Sequence, residues 1–440
     1  MGHEEAAAPE PYAAPPAGAV TIYRRATLID GTGEPARPAM TIVVDGAQIR
    51  LVAPDAEIPA ELRTGAEVID CAGQFVIPGL IDSHQHIATP PDRPAAEATL
   101  RRLAYGGVTA IRIMADDLRQ VGDLARATLV GEIPGPDISY AALMAGPSFF
   151  DDPRTWQVSQ GETPGLVPWM QAVTDETDLP LAVAMAKGTH AKAIKIYADL
   201  PGSTVAAITA EAHRQGLGVW AHGAVFPASP SEVIGAGVDS ISHVTMLAYE
   251  TAAPLPLSYK TKPAVDTDGF GVGEDPRLQS LLAQMGAHGT ILDATGSMYA
   301  REPEGDDEAR KRARANADLA ARLIGHAYRA GVPVCTGTDY ETDPQHPFPA
   351  LHDEMAFLVR RCGIPAEQVI RSATLIGARS LGAEASMGTI EAGKLANFVV
   401  LADDPLADIA NLSSIALVVK RGHRYDRAAY EPIQKGQVGR

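Results

Sequence analysis

Two histidines one residue apart, His84 and His86, close the apolar run GLIDSHQHI. Side chains alternate faces along an extended strand, so residues at i and i+2 share one side and these two imidazoles converge. Neutral imidazole is a common ligand for zinc and its neighbours, which makes the pair half of a metal site. A polar strand end is the plain alternative. Groups of similar chemistry stand in or at the ends of later apolar runs: Lys195 in AIKIYADL, His222 in GVWAHG, His243 in DSISHVT and Asp339 in VPVCTGTD. Each alone is as readily a packed or solvated residue. Together they carry weight only if one fold gathers these run ends.

The order of elements supplies such a fold. From Val20 the chain reads as closely spaced short strands bounded by Gly, Asp and Pro turn signals. After about Gly79 an apolar strand followed by a helical pattern recurs many times, the mark of a parallel sheet with crossover helices. Eight strands can be read: GLIDSHQH, VTAIRIMAD, DISYAALMAG, AIKIYADL, GVWAHG, DSISHVT, GTILDATG and VPVCTGTD. Eight such units favour an α/β protein with a closed (β/α)8 barrel, in which all strand C-termini share the face that holds active sites. The candidate ligands lie on five of these strands. The tail from Met387 returns to strands and is expected to rejoin the first ones. The expected division is a disordered lead over 1–19, a small discontinuous β-sandwich from 20–77 plus 388–426, and a barrel over 78–387. Two connections, Ala145 to Asp178 and Tyr249 to Asp275, are too long for plain links; loops of this length are usually functional. Both should overhang the active face.

Composition narrows the function. The net charge of −17 argues against nucleic acid as a partner, since phosphate binding needs a basic surface. No apolar run reaches the length of a spanning helix, so a small-molecule substrate is expected rather than a membrane. Cys71, Cys335 and Cys362 are odd in number and far apart, which excludes a disulfide framework and suggests buried thiols. The lead is rich in Ala, Pro and Glu and lacks a signal-peptide pattern; whether the protein is cytoplasmic or exported stays open, as does a homo-oligomer.

In that order, PGLIDSHQH, KIYADL, AHG, SISHV and TGTDY resemble the motifs of the amidohydrolase superfamily of metal-dependent hydrolases, and MGTIEAGKLANFVVLADDPL is similar to its closing segment. The resemblance covers nearly all of the chain beyond residue 20. It points to the branch of imidazolonepropionases, prolidase-like dipeptidases and N-acyl amino acid hydrolases. Carried across, it implies two divalent metal ions, expected to be Zn. His84, His86 and Asp339 would bind the more buried ion, and His222 and His243 the more exposed one. Lys195, carboxylated by carbon dioxide, would bridge both. Two departures stand out: Ser242 precedes His243 where an acidic residue is usual, and Asn397 stands where Asp is common.

Such a pair of ions lowers the pKa of a bound water towards 7 and polarises a carbonyl. Asp339 is then placed to act as general base and later as general acid. Tyr197, two residues past Lys195 on the same strand face, is a candidate oxyanion donor. Arg154, Lys260 and Lys262 in the long loops, and His346 past the eighth strand, are candidate substrate contacts. Arg112, inside the second strand, reads as a brace. The expected activity is hydrolysis of a C–N amide bond in a peptide or N-acyl amino acid. The alternatives are an imidazolonepropionase-like cyclic amidase or deaminase with a mononuclear site, and a catalytically inactive scaffold.

Overall fold

The computed structural model describes residues 18–263, 275–301 and 306–438. Most of the proposed lead, and residues 264–274 of the second long loop, lie outside these described residues.

Eight parallel strands form a nearly closed barrel: β1 (Leu80–Gln85), β2 (Val108–Ile113), β3 (Asp137–Ala145), β4 (Ala193–Ile196), β5 (Gly218–His222), β6 (Ser240–Ser242), β7 (Ile291–Asp293) and β8 (Val334–Cys335). Each pairs with the next in chain order. The seam between β8 and β1 is joined by Ser83 N–H to the Thr336 carbonyl at 2.8 Å and Asp339 N–H to the His84 carbonyl at 2.9 Å. The strands are almost wholly buried, as expected for parallel strands covered by helices outside and packed side chains within. The three cysteines are free, buried thiols.

The chain ends meet in a separate sheet. Phe398–Leu401 from the C-terminal tail pairs with Phe75–Pro78, and the order runs His423–Asp426, Ile415–Lys420, Phe398–Leu401, Phe75–Pro78, Val20–Leu28, Arg37–Asp45, Gln48–Pro54, with Glu67–Asp70 also on Val20–Leu28. Its inner face packs on itself around Tyr23 and Phe398, whose rings meet edge to face at 4.9 Å. These two aromatics, far apart in sequence, explain why the tail returns.

The long connection after β3 is structured. It holds a 3-10 turn (Pro147–Asp151), a short helix (Pro153–Gln157) and a hairpin whose second strand (Met170–Ala172) adds to β3.

Candidate active site

Strand register explains which side chains meet. His222 on β5 pairs with Ser242 on β6, which pairs with Asp293 on β7, so these three share one level and one face. Ser242 Oγ donates to Asp293 Oδ2 at 2.8 Å, and Lys195 Nζ donates to Ser242 Oγ at 3.2 Å, which places that face inside the barrel. Alternation would then point His243 outward. Instead the strand ends there with His243 at φ +70, a left-handed turn that brings its imidazole over the pocket. Asp339, past β8, turns inward in the same way at φ +58.

The result is a pocket of about 250 Å³ at the C-terminal face, lined on one side by His84, His86, Lys195, His243 and Asp339. Asp339 Oδ1 lies 3.5 Å from His84 Nε2 and 3.3 Å from His86 Nε2, and Oδ2 lies 3.8 Å from His243 Nδ1. His84, His243 and Asp339 offer ligand atoms within 4.8 Å of one another. His222 stands beside them, its ring 4.6 Å from that of His243.

The donor set fits divalent ions. A ligating imidazole must be neutral, with its far nitrogen held by a partner. His84 Nδ1 is 2.7 Å from Asp293 Oδ2, His86 Nδ1 is 2.6 Å from Asp116 Oδ1, and His243 Nδ1 is 3.0 Å from Thr295 Oγ1. Burial lowers the pKa of His84 and His222, and brings His243 down to about 3, so all three are neutral at pH 7. His86 differs: burial alone would lower it, but Asp116 and Asp339 outweigh burial and raise it to about 10, so His86 must give up a proton before it can ligate. Burial would raise Asp339, yet the facing imidazoles hold its carboxyl far below the usual range. Lys195 is drawn down to about 7, by burial first, with Arg112 adding to the effect against Asp293 and Asp339. An amine that loses its proton near neutrality has the lone pair that ammonium lacks.

A polar layer supports these groups from below. Arg112 is fully buried, donates to the Ser83 carbonyl at 2.6 Å, Ser240 Oγ at 2.9 Å and Asp293 Oδ2 at 3.1 Å, and lies over the Trp220 ring. Its bracing role is as expected. Asp293, Asp116 and Thr295 were not singled out in the sequence, although Asp293 and Thr295 lie within the seventh run and Asp116 ends the second. Gly337 is required here, since a Cβ would stand 2.1 Å from Asp293 Oδ1 and 2.8 Å from the His84 Cβ.

The opposite wall is apolar and aromatic. Met114, Leu143, Phe149, Val158 and Met170 line it, with Tyr197 beside Lys195. Tyr197 stacks on His222 at 4.8 Å and 23°, and Tyr259 from the second long loop meets His222 edge-on at 5.1 Å. Arg154 reaches this pocket but is engaged by Asp152, which it contacts through both Nε and a terminal nitrogen. Lys262 lies over the Tyr259 ring at 3.4 Å. Lys260 donates to the Ser148 carbonyl at 2.8 Å, tying one long loop to the other. His346 is not brought to the pocket: it is exposed, bonds the Phe348 carbonyl, and lines a neighbouring cavity.

A (β/α)8 barrel with converging imidazoles, a carboxylate and a lysine at its active face defines a metal-competent hydrolase architecture. Residues 75–425 match the Amidohydrolase family, and the chain belongs to that family. Some relatives match only in part: a dihydroorotase of Syntrophobacter fumaroxidans is 32% identical over 110 residues, 24% of each chain. Over nearly the whole length the chain is 24% identical to an imidazolonepropionase of Micrococcus luteus, covering 88% of this chain and 93% of that one. Among solved structures, a candidate prolidase of Bifidobacterium longum superposes with a TM-score of 0.69 at 25% identity, covering 95% and 96% of the two chains. The chain thus falls in the imidazolonepropionase and prolidase-like branch.

Proposed function

We infer that the protein is a binuclear metal-dependent amidohydrolase cleaving the amide bond of a dipeptide or an N-acyl amino acid. The observation that carries this reading is the convergence of Lys195 with His84, His86, His243 and Asp339 on one pocket, with His222 against it. His84, His86 and Asp339 would hold one ion, His222 and His243 the other, and carboxylated Lys195 both. Zn suits the nitrogen and oxygen donors. Bound metal would supply a Lewis acid for the carbonyl and a water ionised near neutral pH.

The chain's own groups would do the rest. Asp339 takes a proton from the attacking water and returns it to the leaving nitrogen. Asp116 and Asp293 fix the rings of His86 and His84, so their Nε2 atoms face Asp339. Tyr197, on the same strand face as Lys195, can donate to the developing oxyanion. The apolar wall takes a side chain, while Arg154 at the pocket and Lys262 over the Tyr259 ring supply positive charge for a free carboxylate. Buried Lys195, with its proton affinity lowered, is suited to react with carbon dioxide as the neutral amine. The carbamate so formed gains two acceptor oxygens.

A second reading, an imidazolonepropionase-like cyclic amidase with one metal, draws on the full-length similarity to the Micrococcus luteus protein. A buried lysine among the ligands favours the binuclear reading. The test is a panel of N-acyl amino acids, Xaa-Pro dipeptides, lactones and cyclic ureas with metal-replete protein. Turnover of the cyclic compounds alone, with one equivalent of metal, would overturn the first reading in favour of the second.

A further inference from the structure

Among His84, His86, His222 and His243, only His243 has its Nδ1 hydrogen-bonded to a hydroxyl, Thr295 Oγ1 at 3.0 Å, with Asp339 Oδ2 at 3.8 Å beyond hydrogen-bond reach. Thr295 belongs to the turn after β7 and adopts φ +46. A β-branched residue in the left-handed region is a backbone outlier, and such strain persists only where the surroundings over-determine it.

The cause lies one layer further out. Glu354, on the helix Leu351–Arg360, is fully buried. Its two oxygens accept the next two amides of the turn, Gly296 N–H at 3.0 Å and Ser297 N–H at 2.6 Å. No ion pair to Glu354 occurs among the described residues; burial raises its carboxyl to about 7, and the Ser297 side chain and these two amides offset part of that cost. The turn is also pressed against this helix and the preceding one, Asp307–Arg329: a Cβ on Gly296 would stand 2.8 Å from both Phe357 and Ile324. Glu354 does not line the pocket and cannot touch a substrate there.

We propose that Glu354 is a positioning residue for His243, acting through Thr295. By pinning the Gly296–Ser297 turn it holds Thr295 left-handed, with its hydroxyl against His243. His243 then donates Nδ1–H to Thr295 Oγ1 and keeps its Nε2 lone pair for the pocket. The effect on catalysis rests on the metal-dependent reading above; the orientation of His243 does not.

The test reads the imidazole directly. In metal-free protein labelled with 15N-histidine, the His243 nitrogens should report a single tautomer protonated at Nδ1. Glu354→Gln opposes an amide NH2 to one of the two turn amides, and should shift His243 towards mixed tautomers while His222 is unmoved. Thr295→Val should do the same with the Glu354 clamp intact, and Thr295→Ser should preserve the parent spectrum. In metal-loaded enzyme, Glu354→Gln should lower kcat by about 10-fold to 100-fold, the scale of a small misplacement, with KM little changed. Glu354→Gln and Thr295→Val together should cost no more than either alone. An unchanged His243 tautomer in folded Glu354→Gln would overturn the proposal, as would losses that multiply in the double variant. If Glu354→Gln does not fold, an unchanged tautomer in Thr295→Val overturns it equally. A protein that neither binds metal nor hydrolyses amides would sink the functional reading and leave the tautomer result standing.

Discussion

On one wall of the pocket the functional groups are braced by partners deeper in the barrel, whereas on the other they are braced mainly by one another. His84, Ser242 and Arg112 all meet at Asp293 Oδ2, beneath the floor of the site. Across the pocket, Tyr197, Phe149 and Tyr259 touch ring to ring, and the two long loops are joined by single polar contacts. Asp199 is the exception there, accepting Ser148 Oγ at 2.7 Å and Tyr259 N–H at 3.0 Å and so linking both loops to β4. The strand-end wall is set by register and cannot move without unpairing the barrel. The loop wall is held by packing rather than by strand register, with Phe149, Val158 and Met170 buried in the main core. Chemistry belongs on the first and selectivity on the second.

Removing metal is the sharpest way to test the strand-end wall. Purified protein should hold close to two equivalents of Zn or a similar ion, and a chelator should abolish hydrolysis until metal is restored. Lys195→Arg should lose both metal and activity although it keeps the charge, because guanidinium does not form the carbamate. Metal analysis beside a rate assay checks both. Two equivalents and full turnover in Lys195→Arg would make the lysine structural.

The floor beneath should show in stability. Asp293→Ala leaves Arg112 buried without its carboxylate and His84 without its brace, and breaking a buried pair in this way costs about 3 kcal/mol or more. Urea denaturation of metal-free protein isolates this term from metal binding. A midpoint equal to that of the parent would show that the serine and carbonyl contacts of Arg112 suffice. Asp339→Asn should act differently, keeping an oxygen near the imidazoles but removing the proton acceptor. The rate constant should fall by about 10²-fold with fold and metal content retained. Ordinary turnover would remove Asp339 from acid–base work.

The barrel and its strand-end residues could be read from the sequence because both follow from local rules. Apolar runs, helical spacing and the i, i+2 rule placed His84, His86, Lys195 and Tyr197 on the face where the structure has them. The return of the tail to the first strands was legible for a similar reason. Asp293 and Asp116 were less so: each is an ordinary carboxylate within or at the end of a run, and its importance depends on a histidine on another strand. Thr295 and Glu354 were illegible, since a left-handed threonine and a two-amide clamp leave no pattern in composition or period. Arg154 and His346 show the limit for loops. Position past a strand end placed both near the active face, yet Arg154 arrives already paired with Asp152 and His346 turns to a different cavity.

The smallest effect should come from the contact that joins the loops. Lys260 is partly exposed; its ammonium meets the Ser148 carbonyl at 2.8 Å and Asp151 at 3.7 Å. Exposed pairs of this kind contribute about 0–1 kcal/mol, so Lys260→Ala should leave the denaturation midpoint nearly unchanged. It touches no group of the strand-end wall, so metal content should stay the same. What it removes is a tie between the loop that carries Tyr259 and the loop that carries Phe149. Substrates that fill the apolar wall should therefore show a KM raised by about threefold, corresponding to less than 1 kcal/mol, while kcat hardly moves. Kinetics on a small and a bulky N-acyl amino acid would check this. If Lys260→Ala lowers kcat equally for both and leaves KM alone, the loops take part in the chemistry, and the contrast between the two walls fails.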